Sequence, residues 1–347
     1  MNPENPESNS VNSEEVPKAD FDYNLDNLDN DLVLKYQPTF LAKGGEHLVY
    51  EIPDHPDVIA KVRIGEIKRM LEINYQAGQP LDSLSPEAQS KAQDYLETER
   101  SRYQTIRQHF GSEHVPNQKE FLIKVPITED IIRSFYDGQL PANTDEVWSI
   151  MMIQKRIKEL DIPHLSMVSG YSEHSETLPE TYNQTTQHLI QEKNSEQPLS
   201  SEDFLAIQSN EHLRTLVEQS ETDENLKETL ADLVEKIISY TSETGEILDL
   251  AGEDNVILHQ KDDVWSYTLV DARYPGTSNM IETVEIILSK LSTGDGLDEH
   301  EKNILLNTVN FVRTINGLAE QIGVSNKIDI IPDGLQDLDL DFLKLLR

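Results

Sequence analysis

From Val33 to Val62 the chain changes character every few residues, with the apolar runs TFLA, LVYEI and VIAKV separated by GGEH and by the turn PDHPD. Short β-prone runs punctuated by Gly and Pro read as strands joined by tight turns. The stretch is therefore expected to form a small antiparallel meander: two strands across a Gly-Gly turn, then a third behind PDHPD.

The next segment has a different period. SPEAQSKAQDYLETERSRYQTIRQHFG offers Ser85 as N-cap, Pro86 at the first helical position and Glu87 in the first turn, and it closes with His109 and Gly111. Start and stop signals agree on one long helix. FLIKV (121–125) and VWSIMMI (147–153) read as two further strands, with a helical insertion around EDIIRSFYD between them. Residues 165–222 are rich in Ser, Glu, Gln and Thr. Beyond them Leu226, Leu230, Leu233, Ile237 and Tyr240 recur at helical spacing. NVILH and WSYTLV then alternate around QKDD, predicting a hairpin with Asn255 at the start of its first strand and Asp271 at the end of its second. From Thr277 the pattern is helical, ending in LQDLDLDFLKLLR, whose Leu and Asp alternation suits a docked tail as well as a strand. No repeat at solenoid period is visible.

The order predicts an α+β protein of two lobes. An acidic tail over 1–32 precedes a β-rich lobe with one long helix over 33–154. A mainly helical lobe with an embedded hairpin and a polar insertion at about 165–222 fills 155–347. The tail, with nine acidic side chains and one Lys across residues 1–31, cannot bury enough apolar surface to offset its ordering entropy and is expected to be disordered.

Charge and composition narrow the function classes. Across 347 residues, 64 Asp and Glu against 29 Lys and Arg give a net charge of −35. A surface that negative repels nucleic-acid backbone and anionic lipid, so neither is an expected partner, although a local basic pocket is compatible with it. The chain has no Cys, which removes disulfides, thiolate metal sites and cysteine nucleophiles, so any metal must sit on oxygen or imidazole. The N-terminus has neither an apolar nor a positive leader segment, and no apolar run approaches the roughly 18 residues of a spanning helix. A cytoplasmic protein is expected. DNLDNDL has calcium-loop acid spacing but lacks the glycine that the loop's turn needs, and the histidines are scattered rather than spaced as zinc ligands.

Four motifs recur in a telling order. LAKGGEHLV (41–49) places Gly44 and Gly45 where main-chain N–H groups can approach phosphate oxygens without a Cβ in the way. Lys61 follows on VIAKV, sharing a strand face with Ile59, and a lysine rising from an apolar strand needs an anion as partner. Glu99 is the chosen partner, with Glu97 as runner-up, because Tyr103 and Ile106 follow Glu99 on one helical stripe expected to face the sheet. ILDLAGEDN and VDAR then bracket the hairpin with Asp249, Asn255 and Asp271.

Taken together these motifs resemble the protein-kinase-like fold, including its small-molecule phosphotransferase branch, over about residues 36–275. The resemblance implies an ATP- and Mg²⁺-dependent phosphotransferase. Gly44 and Gly45 would then cover the phosphates, Val49, Ile59 and Ile257 would enclose the adenine, and Lys61 clamped by Glu99 would hold the phosphates. Asn255 and Asp271 would bind metal through hard oxygen donors, and Asp249 would orient the acceptor hydroxyl. The acceptor, a small molecule or a protein, is unassigned.

The chain also departs from the family's pattern. Ala42 and His47 replace the outer glycines of the phosphate loop, and Ile247 occupies the place of the catalytic-loop histidine. Asp249 lies six residues before Asn255, a longer spacing than usual. Ala272 and Arg273 stand for Phe-Gly, and no Ala-Pro-Glu follows, which favours a small-molecule acceptor over a peptide. The alternative is a pseudokinase, a nucleotide-binding or empty scaffold that recruits a partner. A helical adaptor without a nucleotide site comes third. The bland reading of Asp249, Asp254 and Asn255 is turn capping.

Overall fold

The computed structural model describes residues 39–43, 47–52, 57–63, 86–126, 146–156, 164–165, 217–250, 255–270, 280–293 and 296–329. Ser85, Gly44, Gly45, Asp271, the acidic tail, the segment around EDIIRSFYD, most of the polar insertion and the C-terminal LQDLDLDFLKLLR lie outside them.

Strands β1 (Thr39–Lys43), β2 (His47–Glu51), β3 (Val58–Arg63), β4 (Gln118–Pro126) and β5 (Glu146–Lys155) form one antiparallel sheet in the order β1-β2-β3-β5-β4. The expected meander is its first three strands. The β1–β2 ladder slips between Phe40 and Ala42, an irregularity that increases local twist. In β3, Lys61 lies opposite Val49 on one side and Met152 on the other, while Ile59 lies opposite Glu51 and Gln154. Directly opposed residues share a face, so Val49, Ile59, Lys61, Arg63, Met152 and Gln154 stand on one side of the sheet. Ala60, Val62 and Ile153 on the reverse are also buried.

Helix α1 (Pro86–Phe110) connects β3 to β4 in sequence, and Gly111, at φ 91°, accepts the left-handed turn that ends it. Its buried residues Ala88, Ala92, Leu96, Glu99, Arg102, Ile106 and Phe110 recur every three or four positions, forming one stripe. The stripe does not face the sheet throughout. Leu96 packs with Ile150 and Met152 of β5, but Ile106 and Phe110 enter the helical core beside Leu230, Leu233 and Ile237, and Tyr103 packs there too. Periodicity defines a stripe and cannot say that two different cores share it, which is why the expected orientation of Tyr103 and Ile106 fails.

That core is built by α2 (Glu224–Thr244), α3 (Met280–Thr293) and α4 (Glu299–Ile322). Asp223 caps α2 by accepting from Leu226 N, and Asp298 with Glu301 forms a reciprocal capping box on α4. Strand β6 (His164–Leu165) pairs with the β7 (Val256–Lys261) and β8 (Val264–Leu269) hairpin. The hairpin turns more tightly than QKDD suggested. Lys261 pairs with Val264, and Asp262 and Asp263 both take positive φ, 52° and 62°, the conformation of a two-residue turn matched to strand twist.

Val256, Leu258, Tyr267 and Leu269 drive the hairpin into the core. Its depth is fixed by polar anchors: the Tyr267 hydroxyl donates to Asp232 at 2.7 Å, Trp265 Nε1 donates to Asp223 at 2.9 Å, and Leu269 N donates to His114 O at 2.8 Å. The architecture is a mixed α+β one, with a small antiparallel sheet and several helices. No helix among the described residues is long and apolar enough to cross a membrane.

Candidate functional site

The segment between α2 and β7 begins at Gly245, whose φ of 71° ends the helix. Ile247, Leu248 and Leu250 are all buried in the helical core. Asp249, between two of these anchors, is only half-buried. Ile247 thus serves as a hydrophobic anchor for the aspartate segment.

Asn255 closes this segment onto itself. Its Nδ2 donates to the main-chain oxygen of Asp249 at 2.9 Å, so the amide nitrogen is spent on the loop and the side-chain oxygen is left as the atom able to bind a cation. The main-chain oxygen of Asn255 accepts from Val270 N at 2.9 Å. One residue therefore joins the Asp249 loop, the entrance of β7 and the exit of β8, next to Asp271 in sequence. Ile257, half-buried, lies opposite Thr268 and His164. Alternation points it away from the core that holds Val256 and Leu258.

On the sheet, Lys61 is 9% exposed and Glu99 1%, so both charges are largely withdrawn from water, whereas Glu97 is exposed and accepts from Gln93 at 3.1 Å. The carboxylate chosen from sequence is the buried one. Its ion pairs include two arginines that the motifs do not name: Arg63 Nη1 lies 2.9 Å from Glu99 Oε2, and Arg102 Nη1 lies 3.4 Å from Oε1. Two signals pointed to them. Arg63 is two residues beyond Lys61 on the same strand face, and Arg102 follows Glu99 by three on the same helical stripe.

The network continues into the helical core. Arg102 Nε lies 3.2 Å from Glu246, and the Tyr240 hydroxyl donates to Glu246 Oε2 at 2.6 Å. Burial and the neighbouring Glu246 carboxylate push the Tyr240 phenol far above its ordinary range, so it acts as a permanent donor. Arg63 also donates to His47 Nε2 at 3.3 Å. Alternating charges thus run from β2 and β3 through α1 to the residue three before Asp249.

Val49 and Ile59, half-buried on the Lys61 side of the sheet, hold positions suited to an apolar wall. Gly44, Gly45 and Asp271 fall outside the described residues. Among those residues no group of three or more His, Asp or Glu side chains gathers as a metal cage. No protein-family model matches the chain, and no curated protein matches it.

Proposed function

We propose that the chain is an ATP- and Mg²⁺-dependent phosphotransferase of the two-lobed protein-kinase-like fold. The observation that carries the reading is the hydrogen bond from Asn255 Nδ2 to Asp249 O at 2.9 Å. The six-residue spacing of this chain could have separated the two side chains, and the bond keeps their segments together. Further support comes from the third-strand cations Lys61 and Arg63 on one face, with a buried helix glutamate at Glu99, the arrangement by which this class holds nucleotide phosphates.

In this reading Lys61 draws the phosphates to the sheet, and Val49, Ile59 and Ile257 enclose the base. Asp249 accepts a hydrogen bond from the acceptor hydroxyl and takes its proton as that oxygen bonds to the γ-phosphorus and the bond from phosphorus to the β–γ bridging oxygen breaks, releasing ADP. Asn255 and Asp271 would hold Mg²⁺, which when bound neutralises charge on the transferring phosphoryl group. Positioning and charge neutralisation supply most of the rate in such chemistry. The acceptor is read as a small molecule, since no Ala-Pro-Glu follows Asp271 in the sequence.

A second reading, a nucleotide-binding scaffold without turnover, is favoured by the two arginines on Glu99, which draw its carboxylate towards structural pairing. The deciding experiment is a thermal shift with ATP and Mg²⁺ on wild type, Asn255→Ala and Asp271→Ala. Binding at a hundredfold excess over Kd stabilises the fold by roughly 2.7 kcal/mol. A metal-dependent rise that both variants lose supports a nucleotide site, and turnover assays with Asp249→Asn then separate the two readings. No rise in wild type removes both.

A further inference from the structure

Helix α4 is enclosed further round its circumference than its described neighbours explain. From Ile304 to Ala319 every residue whose burial is described is buried except Asn316, which is half-buried. At about 100° per residue these positions run from Leu305 through Ile315 to Thr314 and Gly317, an arc of roughly 240°. A helix on the surface of a domain buries a stripe of little more than about 100° and turns its other side to water. The described elements that pack along α4 are α2 and α3, with Lys290 of α3 paired to Glu301 near its start. They account for the stripe of Ile304, Phe311, Ile315 and Ile322 in the helical core. Thr314 and Gly317, far round from Leu305, call for a third neighbour.

The chain beyond α4 is turned back towards its side. Gly323, at φ 84°, ends the helix, and Val324 N donates to Ala319 O at 2.8 Å. Further up the helix Asn316 clasps Ile328 as a neighbouring strand would: its Nδ2 donates to Ile328 O at 3.0 Å, and its Oδ1 accepts from Ile328 N at 2.8 Å. Ile328, 1% exposed, joins the helical core. It lies as far past the helix end at Ile322 as Asn316 lies before it, so the chain runs antiparallel to α4 where the described residues stop, at Asp329.

We infer that residues 330–347 dock along α4, over the side that Asn316 and Gly317 flank, and supply its third neighbour. Nine of these 18 residues are Ile, Leu or Phe, apolar surface that favours burial over water. Leu338, Leu340 and Phe342 alternate with Asp337, Asp339 and Asp341, so an extended course seats apolar side chains on the helix and leaves the carboxylates in water. Length sets no limit: 18 residues reach roughly 60 Å extended, and the start of α4 is about 26 Å from Asn316. The inference is independent of the nucleotide site proposed above.

Because the chain has no Cys, a photoreactive crosslinker attached to D341C reports one position. Its links are expected to fall within residues 299–322 of the same molecule. In the double variant Leu338→Asp, Phe342→Asp the amide-exchange protection of α4 is expected to fall by on the order of tenfold or more, with that of β3 and β5 within about twofold of wild type. Links to other elements, or α4 protection unchanged in the double variant, overturn the inference. Links between isotopically heavy and light copies mixed before illumination assign this side of α4 to a second copy and overturn it equally. Asn316→Ala, which removes the clasp on Ile328, is expected to lower the yield of the links to α4, and an undiminished yield overturns the route through Ile328. If the double variant fails to fold, the link map of D341C in the otherwise unaltered chain decides alone.

Discussion

Arg102 and Glu246 meet at 3.2 Å across 144 residues of sequence. Arg102 sits beyond the midpoint of α1, and its guanidinium spans two carboxylates: Glu99, which also binds Arg63, and Glu246, which leads into the Asp249 segment. The sheet and the loop that would carry catalysis are thereby held through one side chain. Lys could not reproduce this, because its single ammonium lacks the planar fork that reaches two acids at once.

Removal of Arg102 takes one cation from each of two carboxylates whose side chains are only 2% and 13% exposed, leaving Glu99 to Arg63 and Glu246 to the Tyr240 hydroxyl. Arg102→Ala is expected to lower unfolding free energy by about 3 kcal/mol in urea titration. A loss below about 1 kcal/mol would place the bridge with exposed ion pairs of little consequence.

Glu99→Gln removes the acid between Arg63 and Arg102 without removing volume. Repulsion between the arginines then moves Arg63, and the sheet face with it. The ATP-dependent rise in melting temperature is expected to fall by more than half, while the ligand-free melting temperature drops. An undiminished ATP response would detach Glu99 from the nucleotide site.

His114 stacks on Tyr267 with ring centroids 3.8 Å apart and shares a hydrogen bond with the Tyr267 carbonyl at 2.9 Å. Burial is the largest influence on it and lowers its pKa, helped by Lys236, while the Tyr267 carbonyl, Asp232 and Glu113 act the other way. Burial likewise lowers His259, with a smaller contribution from His114. The folded protein therefore binds fewer protons than the unfolded chain between the folded values and the unfolded one near 6.5. Stability is full above about 6.5 and is lost as pH falls through the folded values. Chemical denaturation across pH 5 to 8 is expected to show this loss, and His114→Phe, which keeps the stacking, is expected to flatten it. An unchanged slope would assign the acid sensitivity elsewhere.

Asp249→Asn keeps the main-chain oxygen that Asn255 holds and removes only the carboxylate charge. Under the phosphotransferase reading turnover falls by at least about a hundredfold, the scale of general-base assistance, while ATP affinity stays within about twofold of wild type. Titration calorimetry beside a coupled ADP assay measures both. A parallel loss of binding would show that Asp249 shapes the nucleotide pocket itself.

Much of the architecture was legible because its signals are local. Gly and Pro breaks marked β1 to β3, Pro86 and Gly111 bracketed α1, and alternation revealed the hairpin, with its turn read as QKDD rather than the tighter Asp262–Asp263. The choice of Glu99 over Glu97 rested on a stripe with Tyr103 and Ile106; Glu99 is the buried one of the pair, although those two residues pack in the helical core rather than on the sheet. What the sequence concealed depends on pairing between distant segments. Arg63 was overshadowed by the lysine beside it, and the link from Arg102 to Glu246 has no expression in spacing. The two-residue strand His164–Leu165 is too short for any period to register.

Helix α1 gives Leu96 to the cluster on the sheet and Ile106 and Phe110 to the helical core. Neither cluster can come apart without drawing the helix out of the other, so among the described residues the two clusters are expected to melt together. Unfolding is then all-or-none across both clusters, with calorimetric and van't Hoff enthalpies in agreement. Damage to a side chain on either half of that helix is then felt as lost stability in both clusters at once.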